Sequence, residues 1–544
     1  MKKLTVILLI VFTNTFAQKK VLDHKDFDIW NRIQNSLISS DGNFIMYSIQ
    51  KGEKDSFLKI KDKNANLILE HDRAVNGVFS YNSKYAIFTI KEWKDSITEM
   101  RRRKVKKDKM PMDSLGIFNF RDKSLIKLSH IKTYKNPEKW SGYIAYTYDF
   151  VQKNKNQKDS VKTKKKSKIP SLKNGYPLVI RNLNTEEEDT IQFVLDYTFS
   201  KNEKIISYIT TGDDNFIKPG VYIKDLNDNS TRHVFESHVK TKYYNLNLSN
   251  SGKKLAFIVD ADSTKSFERN KELYSWSSKN DIKLIIDKKA SPKGYQVSSK
   301  AQINFSDDET KLYFGLALPE IYRDTLLLKE EIVDVEVWTY DEPRLYTIQE
   351  MQLNNDKKKS FKSVYNFNDE KVIQIATKEF PNVVISEHGN SEYALISNPE
   401  PYQLSSQWTA LFSKNDLAVK NINNGNSKVI IRANPSLARL SPQGYYAYGY
   451  NQIDSTWYTH NLKKSEYTEL TKGKIFYNEL SDYPNYPSSY GIAGWSKNDK
   501  SLFIYDRYDI WEFDPDTGNS KRLTYGRESK TSYRLIRLDN EIKY

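Results

Sequence analysis

Apolar and polar residues alternate in short runs along almost the whole chain, and the runs are separated by turns rich in Ser, Asn, Asp and Gly. The stretch from Gly494 to Thr524, GWSKNDKSLFIYDRYDIWEFDPDTGNSKRLT, shows the pattern at its clearest. A turn at Lys497-Asn498-Asp499 leads into an apolar run, Ser501 to Tyr505, and a second alternating run covers Asp509 to Phe513. A tight Asp516-Thr517-Gly518-Asn519 turn then returns the chain to Leu523 and Thr524. Period-two alternation predicts half-buried strands. Gly518, free to take positive φ, and the Asn and Asp side chains, able to cap their own backbone, suit a hairpin loop. The predicted unit is a β-meander.

Looser copies recur from the N-terminal side onward. ISSDGNFIMY from Ile38 has its partner run in Phe57 to Leu69. VFSYNSKYAIFTI from Val78 is answered by IFNFRDKSLIKL from Ile117, and KWSGYIAYTY from Lys139 by LVIRNLNTEEEDTIQF from Leu178. YTFSKNEKIISYI from Tyr197 pairs with VYIKDLNDNSTRHVF, and LNLSNSGKKLAFIV from Leu246 with LYSWSSKNDIKLII. INFSDDETKLYFG from Ile303 is assigned VEVWTYDEPRLYTIQ from Val335 as its outer hairpin. YNFNDEKVIQIA from Tyr365 and LAVKNINNGNSKVII from Leu417 follow, and LARLSPQGYYAYGY from Leu437 pairs with WYTHNLKKSEYTELT. One four-stranded sheet cannot bury both faces alone, so copies must pack on one another, and radial packing protects open edges. The expected fold class is all-β: a β-propeller of about eight four-stranded blades, with seven as the alternative, spanning residues 38–535. His24 to Asn35, with Phe27, Trp30 and Ile33 at helix-compatible spacing, is expected as a short lead-in within 18–37, and 536–544 as a tail.

Composition supports narrow sheet-to-sheet packing. Hydrophobic residues are 38% of the 544, yet aromatics reach 13% with 37 tyrosines, whose rings bury area while their hydroxyls reach a polar edge. The N-terminus, MKKLTVILLIVFTNTFAQ, has two lysines, an apolar run from Leu4 to Phe12 and a small-residue site at Thr15-Phe16-Ala17. That is the form of a cleavable signal peptide over residues 1–17, against an uncleaved anchor as the alternative. No later stretch nears the roughly 20 apolar residues of a membrane helix. The expected location is therefore periplasmic or secreted. There are no cysteines, which excludes disulfides, a lipid-modified Cys and thiolate metal sites. The net charge of +16 invites a nucleic-acid reading. Much of the excess, however, is local to Arg101–Lys109 and Lys153–Lys168, runs without the interleaved aromatics on which bases stack. They read as solvated loops, and nucleic acid is not an expected partner.

The entry turns Ser40-Asp41-Gly42 and Asn250-Ser251-Gly252 resemble those of TolB-type and prolyl oligopeptidase-type propellers. Asp334 to Gln349 (DVEVWTYDEPRLYTIQ), Lys109 to Ile117 (KMPMDSLGI) and Tyr505 to Gly518 (YDRYDIWEFDPDTG) resemble, in order, the secreted prolyl oligopeptidase-like serine peptidases of Bacteroidota. The resemblance covers essentially the whole chain after the signal. It implies a propeller that caps an α/β-hydrolase domain holding a Ser, Asp, His triad and that filters or positions short peptides. The sequence ends at Tyr544, about twenty residues after the last copy, so the expectation is a propeller truncated or split before its catalytic domain. In dipeptidyl-peptidase relatives propeller glutamates hold a peptide's free amine, and the resemblance offers Glu330 and Glu331 for that role. Adjacent strand residues point to opposite faces, so the two converge only from an irregular segment; a charged blade rim is the alternative.

The residues themselves offer little catalytic chemistry. A nucleophile elbow needs Gly-x-Ser-x-Gly, so that small neighbours let a strained turn expose the hydroxyl. Ser391, Ser427, Ser496 and Ser520 have the leading glycine and lack the trailing one. His388 and His460 have no chain-order relation to a serine that would make a triad. His233 and His238, five apart, match no zinc motif. Glu186-Glu187-Glu188-Asp189 and Asp213-Asp214 have no calcium-loop spacing. No catalytic residue, metal ligand or cofactor is assigned. Two functions remain: a non-catalytic, substrate-gating propeller whose partners are peptides or a separately encoded hydrolase domain, and a stand-alone binding or scaffold propeller for a peptide, glycan or protein.

Overall fold

The computed structural model describes residues 21–148, 175–212, 217–238, 240–262, 269–320, 326–333, 335, 337–408 and 413–537. The expected signal peptide, the second basic run and Asp213-Asp214 lie outside them. Among the described residues the fold is all-β in class, with eight antiparallel sheets, one of them seven-stranded, and a few short helices. In that sheet the long strand Glu188–Phe199 is the last strand of one four-stranded meander and the first of the next. Nine meanders therefore follow one another, each the strand pattern of a propeller blade. The chain divides into two compact units, residues 1–194 and 195–544.

The first unit holds the meanders 31–72 and 74–128 and the one that ends in Glu188–Phe199. Central strands are buried on both faces, as in Tyr85–Ile90, whereas the outermost strand Leu67–Asp72 is mostly part-exposed. One core layer gathers Met46, Leu58, Ile60, Phe88 and Phe118; the next gathers Ile87, Ile117, Ile144 and Tyr146. Each such fully buried side chain stabilises by about 1.5–3 kcal/mol relative to exposure. The second unit repeats this with Leu255, Phe257 and Trp276, then Leu312 and Phe314, and finally Trp495, Leu502 and Phe513.

One turn design recurs between first and second strands. A buried serine donates its N–H to the carbonyl five residues on and accepts that residue's N–H on Oγ, so a single side chain closes the hairpin. Ser39 does so with Phe44 (2.9 and 2.9 Å), Ser80 with Tyr85 (2.9 and 3.0 Å) and Ser249 with Lys254 (2.8 and 3.1 Å). Ser306 with Lys311 and Ser441 with Tyr446 repeat it. The third residue after the serine is left-handed, which explains Gly444 (φ 76°) but also admits Glu309 and Asp499 (φ 56° and 54°).

A second device lies in the first strand of several meanders. The pairing slips between Gln34 and Leu37, between Val75 and Val78, and between Tyr244 and Asn247. Asn35, Asn76 and Asn245 take positive φ at these β-bulges, a conformation that Asn tolerates well. Asn245 Nδ2 also donates to the carbonyls of Ser299 and Ala301 in the following meander (3.2 and 2.7 Å).

Three sequence expectations change. The lead-in is a 3₁₀ helix over His24–Ile29 only, capped by Asp23 and Asp26, and the first strand begins at Asn31. Val335 to Gln349 is not an outer hairpin, because the strand Lys311–Ala317 pairs with Phe361–Asn366. Val335, Val337 and Trp338 are largely exposed, and the helix Tyr346–Asp356 follows. Alternation alone does not make a blade strand; Phe361–Asn366 wins because both its faces find core. Tyr365 therefore belongs to the sheet that Ile303 enters. The strands Asn382–Val384 and Tyr393–Asn398, unread in the sequence, open a meander of their own.

Candidate functional site

In each meander the antiparallel order puts the first-to-second and third-to-fourth turns at one end. The second-to-third loops and the connection to the next meander lie at the other. Connections at the turn end run from four to eight residues, such as 63–66 and 385–392. Among the described elements the long connections are at the loop end: 91–113, 318–360 and 399–414 separate second from third strands, and 470–491 joins one meander to the next. Three sizeable cavities open there as well.

In the first unit a cavity of about 720 Å³ is walled by the first loop, by Arg73 and Val75, and by the excursion 91–113. That volume suits a small ligand or a few residues of peptide. The excursion contains the helix Lys94–Arg102 and then Met110-Pro111-Met112-Asp113, part of the run quoted above for its resemblance. It is pinned to the first meander: Lys94 N–H donates to Asp55 (3.1 Å) and its Nζ pairs with Glu53 (2.9 Å). Lys91 Nζ meets Asp113 at 2.6 Å and so closes the base of the excursion. Arg73 is the one residue between two strands and has left-handed φ (64°). Its Nη1 donates to the Lys91 carbonyl (2.7 Å), and its guanidinium lies over the Trp93 ring, 4.5 Å from the centroid. Ile97, Met110 and Met112 supply apolar wall.

The second unit has a cavity of about 580 Å³ at its loop end, lined by Tyr448, Tyr450, Trp457 and Arg439. A Cβ on Gly449 would come within 2.7 Å of Tyr458 Oη and 2.8 Å of Ser436 Oγ, so glycine keeps this floor open. Another, of about 590 Å³, lies beside Lys271, Lys300 and Phe361.

The candidate residues of the sequence fall apart from these cavities and from one another. Glu330 and Glu331 sit in a short 3₁₀ helix, Lys329–Glu331, both exposed. Glu331 accepts the N–H of Leu328 at 2.8 Å, capping its own turn. Ser391 and Ser496 belong to entry turns, accepting from Tyr393 N–H and Ser501 N–H (2.9 and 2.8 Å). Ser427 and Ser520 open strands opposite Lys420 and Phe513. His388 Nδ1 pairs with Asp307 at 2.8 Å, joining two turns. His460 is buried, and burial pushes its pKa down and holds it neutral. His233 stacks on Tyr222 at 4.3 Å, and His238 Nε2 lies 2.8 Å from the Ala261 carbonyl. In the acidic run, Glu186 and Glu188 are held by Arg181 (3.1 and 2.7 Å). Among the described residues no group of three His, Asp or Glu side chains converges as a metal site, and no helix is long and apolar enough to cross a membrane.

No family model and no curated protein matches this chain. Solved structures similar to it include a eukaryotic initiation factor, 10% identical over 81% of this chain and 89% of that one, with a TM-score of 0.39. The β-propeller domain of the trilobed protease from Pyrococcus furiosus is 12% identical over 74% of this chain and 99% of its own, with a TM-score of 0.29. The acylaminoacyl peptidase of Pyrococcus horikoshii is 11% identical at a TM-score of 0.31; 81% of this chain is covered, and it spans 59% of that protein. At such values the likeness transfers no activity. What the strands themselves define is an all-β protein of propeller-blade meanders.

Proposed function

We propose that this chain is the non-catalytic, substrate-gating propeller of a secreted or periplasmic prolyl oligopeptidase-like peptidase of the Bacteroidota type, with the hydrolase chemistry carried outside this sequence. The supporting observation is the first-unit cavity. An excursion carrying the family-like Met-Pro-Met-Asp run folds back over two meanders and encloses space for a peptide, with charged and apolar walls. The four glycine-preceded serines are engaged in turns or strand starts, and among the described residues none is hydrogen-bonded to a histidine. Glu330 and Glu331 enter this reading as an exposed carboxylate pair able to meet a peptide amine. Fluorophosphonate labelling of the purified protein should leave it unmodified; stoichiometric modification of a serine would overturn the non-catalytic role. A stand-alone binding propeller is the second reading. It is favoured by the aromatic cavity of Tyr448, Tyr450 and Trp457, whose rings suit stacking of a sugar or an apolar side chain.

A further inference from the structure

The charges around the first-unit cavity do not balance. Six cations and three carboxylates line it. Lys91 is paired with Asp113, Lys94 with Glu53 and Lys54 with Asp28, while Asp55 is engaged by a backbone N–H. Arg73, Arg101 and Lys107 remain, against Glu92. Among the described residues no carboxylate lies within ion-pair distance of these three cations. Arg73 is the most constrained of them. Its guanidinium carbon lies 4.5 Å from the Trp93 ring centroid, Nη1 is committed to the Lys91 carbonyl, and Nε is buried out of reach of the cavity. A guanidinium held in this way still has Nη2 to donate, and such a charge-assisted hydrogen bond suits an oxyanion in the cavity. Met110 and Met112 beside it offer an adaptable apolar surface.

We propose that this cavity anchors a peptide through a carboxylate read by Arg73, with an adjacent apolar residue against Met110 and Met112. The carboxylate is that of an acidic side chain or of a free C-terminus. This inference rests on the peptide-handling reading of the preceding subsection and adds the chemistry of selection to it.

The test uses the purified chain and fluorescein-labelled pentapeptides in three forms: Ala-Leu-Glu-Leu-Ala amide, the same with Gln for Glu, and the Gln peptide as a free acid. Anisotropy titrations should show the Glu amide, the free acid or both binding about tenfold more tightly than the neutral amide, as loss of one charge-assisted hydrogen bond implies. Whichever charged form binds better identifies the source of the carboxylate. Arg73→Gln should abolish the preference, and Arg73→Lys should restore only part of it. If Arg73→Gln fails to fold, the exposed pair Arg101→Gln/Lys107→Gln should reduce the preference several-fold through lost charge. Equal binding of all three peptides, or a preference untouched by these variants, would overturn the inference and leave peptide handling standing. Binding of none of them would overturn both.

Discussion

The two ends of each meander obey different rules. At the turn end, connections are short and built on one plan, and successive turns are bonded to each other. Ser251 N–H and Oγ reach the Glu309 carboxylate (2.7 and 2.8 Å), Asp307 N–H reaches the His388 carbonyl, and His388 returns to Asp307. Asp499, almost fully buried, accepts from Ser441 Oγ (2.6 Å) and from the N–H groups of Gln443 and Tyr445 (3.1 and 3.4 Å). At the loop end, excursions differ in length and composition, carry exposed apolar residues and border the three larger cavities, whereas a smaller one of about 340 Å³ lies among the turns. The contrast teaches that each meander separates its constrained from its variable connections along the strand axis: turns at one end are bonded to each other, and those at the other are free to vary.

That separation can be broken experimentally. The largest effect is expected from Asp499→Ala, which strands three donors at the turn end: about 3 kcal/mol lost, read from the guanidinium midpoint. A loss below about 1 kcal/mol would mean that the turn-to-turn bonds are incidental. Ser306→Ala removes one buried hydroxyl that donates to Asp308 (2.6 Å) and accepts from Lys311 N–H (3.0 Å), and should cost about 1–2 kcal/mol.

A pH series sharpens the same point. Burial raises the Asp499 carboxyl above its ordinary range, against the pull of Ser441 and the two backbone donors. The folded state therefore holds a proton that the unfolded chain releases near pH 4. Its contribution to stability is greatest below that pH and falls as pH rises through the folded value. Wild type should lose stability relative to Asp499→Asn between pH 4 and neutrality; parallel curves would contradict the assignment. The smallest effect belongs to the loop end. Trp338, 70% exposed and stacked on Tyr346 at 4.6 Å, should cost under about 0.5 kcal/mol when changed to Ala. A loss above 2 kcal/mol would make that excursion structural.

Legibility followed the same division. Ser40-Asp41-Gly42 and Lys497-Asn498-Asp499 could be read as turns because the constraint is local: a hairpin needs a left-handed residue and a capping side chain within five positions. That Asp499 closes the turn at Ser441 across more than fifty residues could not be read, since nothing local marks it. Val335 to Gln349 differs from its expectation because period-two alternation also arises in exposed segments, as Val335, Val337 and Trp338 show. The first-unit cavity draws its walls from three separate stretches, and Arg73, alone between two strands, carries no motif. The Met-Pro-Met-Asp run was visible only as a resemblance, without its place in a cavity wall. Glu330 and Glu331 stood out as a pair, but their surroundings were set by an excursion whose course the strand pattern does not specify.

The loop end also has a thermodynamic licence to change. Its second-to-third connections range from four residues (452–455) to forty-three (318–360). Closing a loop costs only about 0.6 kcal/mol more for each doubling of its length, so this whole range spans roughly 2 kcal/mol of chain entropy. Foreign segments grafted between second and third strands should thus be carried at little cost, and a new recognition loop can be installed there without redesigning a blade.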